Sequence, residues 1–241
     1  MATADFNEDG YPDFSVVNRW SYDISILSGA PPRGDDIVSF QALDQVYAVD
    51  GEVAALIVRN VNGDTRDDVI QLHRASGEVS VRLSGPGGVL TPPVFYPMGT
   101  RPNALSIVDF DRDGYADIVT ANLGASSTSG SSGFRRGLGN GTFGPYSEVS
   151  VATELASLGI DASQAGSLYG IEYGDLDGDG IKDAIAGFID CRILLYKGLP
   201  DGRFHLVTTG GGLDHIFINF IFEARGFAIA DFDQDGDNDI A

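Results

Sequence analysis

The sequence is poor in several residue types, and each shortage excludes a class of protein. Cys191 is the only cysteine, which excludes an internal disulfide and leaves the redox compartment open. The apolar run HIFINFIF at 215–222 is far shorter than the about 18 residues that a membrane-spanning helix needs, so we expect no membrane insertion. Met1 is followed by ATADF and not by a charged and then apolar leader, so we expect any signal peptide to be absent from this sequence.

Basic residues are also scarce. The chain has 15 Lys and Arg against 35 Asp and Glu, which gives a formal net charge of −20 and a pI of about 4.2. Phosphate contacts need clusters of Lys and Arg, so this composition argues against a nucleic-acid partner. The 43% of hydrophobic residues is enough for a buried core, which excludes a disordered acidic tail. A compact fold with this many like charges needs cations to offset them.

Catalytic motifs are absent as well. The sequence contains no GxSxG, HExxH or P-loop motif and no Cys/His metal cluster. The histidines His73, His205 and His215 lie far apart, with no acid or nucleophile at motif spacing. We therefore expect the protein not to be an enzyme.

What the sequence does contain is one acidic phrase in five copies. They read DFNEDGYPD (5–13), NVNGDTRDD (60–68), DFDRDGYAD (109–117), DLDGDGIKD (175–183) and DFDQDGDND (231–239). The copies begin 49 to 66 residues apart. A repeat period of this size is typical of propellers, solenoids and arrays.

Short runs of β type surround each copy. One apolar run precedes the phrase, as in ALSIVDF (104–110), and a second follows it; a third and a fourth come after turns, as in EVSVRL (78–83) and PVFYPM (93–98). Four short strands per repeat are typical of a propeller blade. Helical signal is nearly absent and is best at 151–166. We predict an all-β propeller, with residues 1–241 as a single domain and about four blades' worth of four-stranded repeats.

The phrase itself predicts a metal site. Side-chain oxygens fall at its positions 1, 3, 5 and 9, usually with glycine at position 6, where a sharp turn needs backbone freedom. Alternate oxygens on a tight turn converge on one point, and calcium accepts about six to eight oxygens at flexible angles. An EF-hand is excluded because it requires flanking helices and a Glu at position 12, where this chain has Val16, Gln71, Thr120 and Ala186.

Turns rich in Asp, Asn and Gly also form without any metal, and a single copy is compatible with that alternative. Three copies with four acids each are not compatible with a metal-free turn. Four carboxylates crowded on one loop repel strongly unless a cation neutralises them.

The repeated pattern D-x-D-x-D-G-x-x-D followed by an apolar strand resembles the FG-GAP and VCBS repeats of integrin-alpha-type β-propellers. GNGTFGP at 139–145 is also similar to the turn before the fourth strand of a VCBS repeat. The resemblance covers essentially the whole chain. It implies that each phrase joins the first and second strands of a blade and binds structural calcium.

The resemblance implies ligands at positions 1, 3, 5 and 9 and the backbone carbonyl of position 7, in up to five sites. In the four more acidic copies these residues are Asp5, Asn7, Asp9, Tyr11 and Asp13; Asp109, Asp111, Asp113, Tyr115 and Asp117; Asp175, Asp177, Asp179, Ile181 and Asp183; and Asp231, Asp233, Asp235, Asp237 and Asp239. In the second copy they are Asn60, Asn62, Asp64, Arg66 and Asp68. Two acids and the glycine are replaced there, so we expect that site to be the weakest or empty.

The function implied by the resemblance is recognition. It predicts a calcium-stabilised adhesion module, extracellular or at the cell surface, that binds a protein or glycan ligand; the alternative is a lectin-like or accessory domain of a secreted enzyme. Trp20, Tyr22, Tyr96, Tyr146 and Tyr169 fall in or near predicted loops and are candidates for stacking on sugars, with packing between blades as the alternative. The tripeptide Arg33-Gly34-Asp35 and the sequon at Asn140 are too short to assign a role.

The two ends of the chain carry the same phrase. On this interpretation the first copy begins after the first strand of its blade is missing, and the last copy stops as its second strand begins. Families of this kind close with about seven blades, which favours a segment of a longer propeller with an exposed strand edge that promotes self-association. Alternatively, a strand at 226–231 replaces the missing one beside residues 14–18 and closes a ring.

Overall fold

The structure is a computed structural model. It describes residues 1–18, 20–32, 34, 39–40, 45–48, 52–157, 166–188, 193–199, 204–207, 229–233 and 238–240. The strands in chain order are β1 (Ala2–Ala4), β2 (Asp13–Asn18), β3 (Asp23–Leu27), β4 (Gly29–Ala30), β5 (Ser39–Phe40), β6 (Gln45–Ala48), β7 (Ala55–Arg59), β8 (Asp68–His73), β9 (Glu78–Arg82), β10 (Val94–Pro97), β11 (Pro102–Val108), β12 (Asp117–Asn122), β13 (Ser131–Arg135), β14 (Ser147–Ser150), β15 (Leu168–Gly174), β16 (Asp183–Phe188), β17 (Ile193–Gly198), β18 (Phe204–Leu206), β19 (Ile229–Ala230) and β20 (Asp239–Ile240).

These strands form four antiparallel sheets of four strands each, which we call blades 1 to 4. Their strand orders are β1-β2-β3-β6, β7-β8-β9-β10, β11-β12-β13-β14 and β15-β16-β17-β18. Two-stranded sheets are formed by β4 with β5 and by β19 with β20. The prediction of four short strands per repeat is confirmed.

The first blade has its own first strand, contrary to the sequence prediction. Ala2 pairs with Ser15 and Ala4 with Asp13, so β1 lies along the edge of β2. This is the edge on which the ring-closing alternative placed the 226–231 segment, of which 229–231 are described. Ile229 pairs instead with Ile240, so that alternative is also wrong. Backbone hydrogen bonds hold β1 at the edge of the sheet. Its side chains are small, and their β propensity is too weak for the strand to be recognised in the sequence.

Consecutive blades pack through their first strands and their faces. β7 lies beside β1 and β11, and β15 lies beside β11 and β19. Hydrophobic clusters fill the spaces between blades, with Ile24, Ile26 and Val69 between blades 1 and 2. All six residues of each of β8, β12 and β16 are buried, because these strands are covered on both faces. The protein is thus an all-β protein of propeller type.

The described residues contain one α-helix, α1 (Val151–Ser157), inside the predicted 151–166 segment; residues 158–165 of that segment lie outside the described residues. Val151 and Leu155, one helical turn apart, are buried in the cluster between blades 3 and 4. A short 3-10 turn occupies Pro86–Gly88.

Candidate metal centre

The five acidic phrases occupy the same place in the fold. Each joins the first strand of a sheet to the second, in the hairpins β1–β2, β7–β8, β11–β12, β15–β16 and β19–β20. We number these connections loops 1 to 5 and keep positions 1 to 9 for the residues of each phrase. Position 9 is the first residue of the second strand in every case, so the strand fixes where its carboxylate points.

The carboxylate at position 9 ties the loop to the rest of the blade. In loop 3, Asp117 Oδ2 accepts the Phe110 N–H at 2.9 Å and Asp117 Oδ1 accepts the Gly137 N–H at 2.7 Å. The same two bonds, one from position 2 and one from a residue at the end of the third strand or two positions past it, recur at Asp13, Asp68 and Asp183. In loop 5 the first of them is made by Asp239 with Phe232 at 3.0 Å. This carboxylate is therefore a structural group in each loop, whatever else it binds.

The partner at the end of the third strand was missed in the sequence. It is Gly29, Gly137 or Gly198, and a Cβ on any of these would lie 2.2–2.4 Å from the carbonyl oxygen of position 8. Only glycine permits this approach without a backbone shift. Blade 2 has Ser84 instead, and its hydroxyl donates to the position 8 carbonyl of Asp67. A glycine or serine recurring near the end of each third strand was the available signal.

The turn geometry of the loops agrees with the prediction for position 6. Gly10, Gly114 and Gly180 have φ of 86°, 89° and 82°, and each N–H donates to the carboxylate of position 1 at 2.8–3.0 Å. Position 4 is also left-handed in loops 1 to 4, even where it carries the non-glycine residues Glu8 and Arg112. The turn thus folds the odd-numbered positions toward one side.

Acids at positions 1, 3 and 9 converge in three loops. One carboxylate oxygen from each lies within 4.8 Å of the other two in Asp109, Asp111 and Asp117, in Asp175, Asp177 and Asp183, and in Asp231, Asp233 and Asp239. Position 5 is placed differently. Its Oδ1 accepts the N–H of position 7, as in Asp113 to Tyr115 at 2.8 Å and Asp179 to Ile181 at 2.8 Å. That bond is typical of an Asx turn and occupies one carboxylate oxygen of position 5, whose role as a metal ligand stays a prediction.

Loop 3 shows why a cation fits. Asp109 Oδ1 is buried and has no hydrogen-bond partner among the described residues. Burial, with a smaller contribution from Asp111 and Asp113, raises the pKa of Asp117 to about 6. A buried carboxylate oxygen without a partner is costly, and a cation held between positions 1, 3 and 9 would supply that partner. An all-oxygen donor set of carboxylates suits calcium.

Loop 1 is related but less acidic. Asn7 stands at position 3, and its Oδ1 accepts the Asp9 N–H at 3.0 Å. Asp5 accepts from the N–H groups of Asp9 and Gly10 at 3.1 and 2.9 Å, and Asp9 Oδ1 accepts from Tyr11 at 2.9 Å. Burial raises the pKa of Asp13. The four predicted side-chain ligands of loop 1 thus lie on one tight turn.

Loop 2 carries its own cation. The guanidinium of Arg66, at position 7, contacts Asp64 Oδ2 at 2.7 Å, Glu8 of loop 1 at 3.4 Å and the carbonyl oxygen of Ser84 at 3.0 Å. Asn60 Oδ1 accepts backbone N–H groups, and the Asn62 amide donates to Asp64 Oδ2 at 3.1 Å. The acid that loop 2 keeps at position 5 is thereby already neutralised, which supports the expectation of a weak or empty site.

Loop 5 is described in part. Asp231, Asp233 and Asp239 form its converging group, while Asp235 and Asp237 lie outside the described residues. The Asn238 side chain donates to the carbonyl oxygen of Asp175 at 2.7 Å, so loop 5 lies against loop 4.

The other candidates fall into two groups. Tyr96, which is buried, and Tyr146, which is partly buried, flank Arg135 with their ring centroids 5.6 and 5.8 Å from its guanidinium carbon. Trp20 is 94% exposed and Tyr22 is 50% exposed, both between β2 and β3. Arg33, Asp35, Cys191 and His215 lie outside the described residues.

His73 has a partner that the sequence did not reveal. Its Nε2 lies 2.8 Å from Ser80 Oγ; His73 is in β8 and Ser80 in the neighbouring strand β9, and both residues are buried. A serine next to a histidine is the start of a nucleophilic site, but a substrate has no access to this pair. We assign it a structural role.

Among the described residues, no helix has the length and apolar character needed to cross a membrane.

Solved structures share this fold. A lectin of Agrocybe aegerita with specific recognition of non-reducing terminal N-acetylglucosamine matches with a TM-score of 0.52 at 18% identity, over 84% of this chain and 49% of that one. BBS1N, solved in complex with ARL6DN, matches with a TM-score of 0.50 at 8% identity, over 85% of this chain and 54% of that one. This chain therefore spans about half the length of these two structures. At these identities the likeness shows the fold alone.

Sequence comparisons give the family. No curated protein matches the sequence. The FG-GAP-like repeat family matches residues 60–120 and 175–241, which together make up more than half of the chain. Both stretches start at position 1 of an acidic loop, so the matched unit is the repeat described above. The chain belongs to the FG-GAP-like repeat family.

Proposed function

We propose that this protein is a calcium-stabilised recognition module whose metal ions rigidify the strand-connecting loops. The observation that carries the proposal is the recurrence of converging carboxylates at positions 1, 3 and 9 in loops 3, 4 and 5. Each group would place three negative charges around one point, and Coulomb repulsion makes that arrangement unfavourable without a cation. The buried, unpartnered Asp109 Oδ1 supports the same assignment.

The ligands would come from the chain as follows. Positions 1, 3 and 9 supply carboxylate oxygens, and the position 7 carbonyls of Tyr115 and Ile181 and water complete the shell. Position 9 accepts two backbone N–H groups and would bind calcium through remaining lone pairs. When bound, the ion supplies positive charge and holds the hairpin closed. Loop 2 would stay metal-free because Asn60 and Asn62 replace two of the acids and Arg66 already pairs with Asp64.

The proposed location is extracellular or at the cell surface. Loops of this kind, with a few carboxylates on one short turn, suit the millimolar calcium of that compartment, where dissociation constants of about 10⁻⁴–10⁻³ M are sufficient. The net charge of −20 also favours a place where divalent cations are abundant.

The ligand that one observation favours is a glycan. Trp20 is the only tryptophan and is 94% exposed, with Tyr22 next to it in a left-handed conformation at φ 53°. Exposed aromatic rings at the end of a hairpin are suited to stacking on sugar rings. The Agrocybe aegerita lectin with the same fold recognises terminal N-acetylglucosamine, which is consistent with this choice. A protein ligand is the second candidate.

A glycan array probed in 2 mM calcium and again in EDTA tests the proposal. We expect calcium-dependent binding to a group of related glycans, and quenching or enhancement of Trp20 fluorescence on titration with the best of them. Trp20→Ala should remove binding and leave the melting temperature unchanged, whereas Tyr146→Phe, at a partly buried aromatic, serves as the control. Binding that is unaffected by Trp20→Ala would contradict the glycan assignment.

A further inference from the structure

Two basic side chains lie over the acidic loops from the same place in consecutive blades. Arg136 and Lys197 directly precede Gly137 and Gly198, the glycines that donate to position 9 of their loops. Arg136 Nε lies 3.0 Å from Asp111 Oδ2. Lys197 Nζ lies 2.9 Å from Asp179 Oδ2 and also contacts Asp177 Oδ2. Position 3 of each loop, one of the three converging acids, is therefore paired with a base.

The base occurs where position 3 is an acid. In blades 1 and 2 the equivalent residues are Ser28 and Leu83, and position 3 of those loops is an asparagine. In blades 3 and 4 the residues are Arg136 and Lys197, and position 3 is an aspartate. In these four blades a basic residue near the end of the third strand thus accompanies an aspartate at position 3.

These bases can leave the loops at small cost. The side chain of Arg136 is 66% exposed and that of Lys197 is 41% exposed, so solvent reaches both bases, while the side chain of Asp111 is only 9% exposed. An ion pair that solvent reaches from one side contributes less to stability than a fully buried pair, because water and salt screen the charges. A divalent ion has twice the charge of either base and contacts several carboxylates at once, so it would displace the base from position 3.

We propose that Arg136 and Lys197 are internal competitors of calcium that set the metal affinity of loops 3 and 4. In low calcium they neutralise position 3 and hold the loop near the end of the third strand. In high calcium they swing into solvent. This inference rests on the proposed calcium binding, and it adds that each loop's affinity is set by one residue outside the acidic phrase.

The glycine at position 6 gives a readout for each loop. The Gly180 N–H donates to Asp175 Oδ2 at 2.8 Å, and the Gly114 N–H donates to Asp109 Oδ2 at 3.0 Å. Calcium at position 1 changes those bonds, so the two amide signals in ¹H–¹⁵N NMR spectra report loops 4 and 3 in one sample. Titration of the whole chain at about 0.15 M KCl keeps distant charges screened.

Lys197→Met should lower the calcium midpoint of the Gly180 signal about tenfold, because removing one unit charge next to a divalent ion removes both repulsion and competition. The Gly114 midpoint should stay unchanged. Arg136→Met should have the reverse effect, on Gly114 alone. Lys197→Arg keeps the charge and should leave the Gly180 midpoint within about threefold of the wild type.

Lys182→Met is the matched control. Lys182 is exposed at position 8 of loop 4 and makes no ion pair among the described residues. It should shift the Gly180 midpoint far less than Lys197→Met does. An equal shift in both variants, or no shift in Lys197→Met while Gly180 still responds to calcium, would overturn the competition. If no position 6 glycine responds to 10 mM calcium in any variant, the proposed calcium binding itself is wrong.

Discussion

The backbone N–H of Ser84 donates to Asp68 Oδ1 at 2.9 Å in loop 2, the loop with asparagine in place of aspartate at positions 1 and 3. Asp68 is fully buried and also accepts the Val61 N–H at 2.9 Å. Asp117 and Asp183 accept the equivalent two backbone N–H groups in the more acidic loops 3 and 4. The position 9 aspartate therefore has a structural role that does not depend on metal.

Asp68→Ala tests that role. Loss of two hydrogen bonds to a buried carboxylate should lower the free energy of unfolding by about 3 kcal/mol, equally in calcium and in EDTA. Urea denaturation in both buffers measures it. Asp67→Ala removes the same charge from the neighbouring residue, whose backbone carbonyl accepts the Ser84 hydroxyl, and should change stability by less than about 0.5 kcal/mol. A calcium-dependent loss in Asp68→Ala would show that loop 2 does bind metal.

For each occupied site, calcium should raise the melting temperature of the wild type by about 5–10 °C at concentrations near 100 times the dissociation constant, and EDTA should reverse the gain. Asp109→Asn removes a charge from the converging group of loop 3 with little change in shape. It should reduce the calcium-induced gain and leave the melting temperature in EDTA nearly unchanged. Differential scanning calorimetry measures both, and identical gains in variant and wild type would exclude loop 3 as a site.

Loop 2 should be convertible into a site. Asn60→Asp, Asn62→Asp, Thr65→Gly and Arg66→Ile together give it the acids, the glycine and the uncharged position 7 of loop 4. Isothermal titration calorimetry should then count one calcium more than in the wild type, since charge count and turn freedom set the affinity. Arg66→Ile alone should add none. An unchanged count in the fourfold variant would mean that the acids are insufficient.

Stability in the absence of calcium should rise as the pH falls. Burial raises the pKa of Asp117 from 3.8 to about 6, and the pKa of Asp13 and of Asp68 also rises through burial. The folded state then binds protons more tightly than the unfolded chain, so stability is gained below about pH 6 and lost as the pH rises through that value.

Urea midpoints at pH 7.5 and 5.0 in EDTA measure the effect, and Asp117→Asn should reduce it. In calcium the trend should reverse, because the metal needs the charged carboxylates and protons displace it. A calcium-free protein that is more stable at pH 7.5 than at pH 5.0 would contradict the prediction.

Association should depend on the β19–β20 hairpin. Within the described residues β20 pairs with β19 alone, and Phe232 and Ile240 are 55% and 43% exposed. Open strand edges with apolar side chains promote pairing between chains. Ile240→Lys should lower the association constant in sedimentation equilibrium, while Val94→Lys on blade 2 serves as the control for an exposed apolar residue elsewhere. Association that is equal in both variants would place the contact at another surface.

Much of the fold was predictable because it depends on local pattern. The β-branched runs at 78–83 and 93–98 became β9 and β10, and the acidic phrases became the loops between first and second strands. The strand β1 was missed because three small residues give no hydrophobic alternation. The role of Gly29 was missed because its partner, Asp13, lies 16 residues away.

The sequence by itself determined the repeat, the four-stranded unit and the residue types that favour calcium, because periodicity and turn chemistry are local properties of the chain. Only the tertiary structure decided which oxygens converge. It brings carboxylate oxygens of positions 1, 3 and 9 together, while one oxygen of position 5 accepts a backbone N–H. It also decided where the cations lie. Arg66, Arg136 and Lys197 reach the acids from a loop or a strand end whose position is fixed by sheet pairing and blade packing, and charge balance between distant segments follows from that geometry.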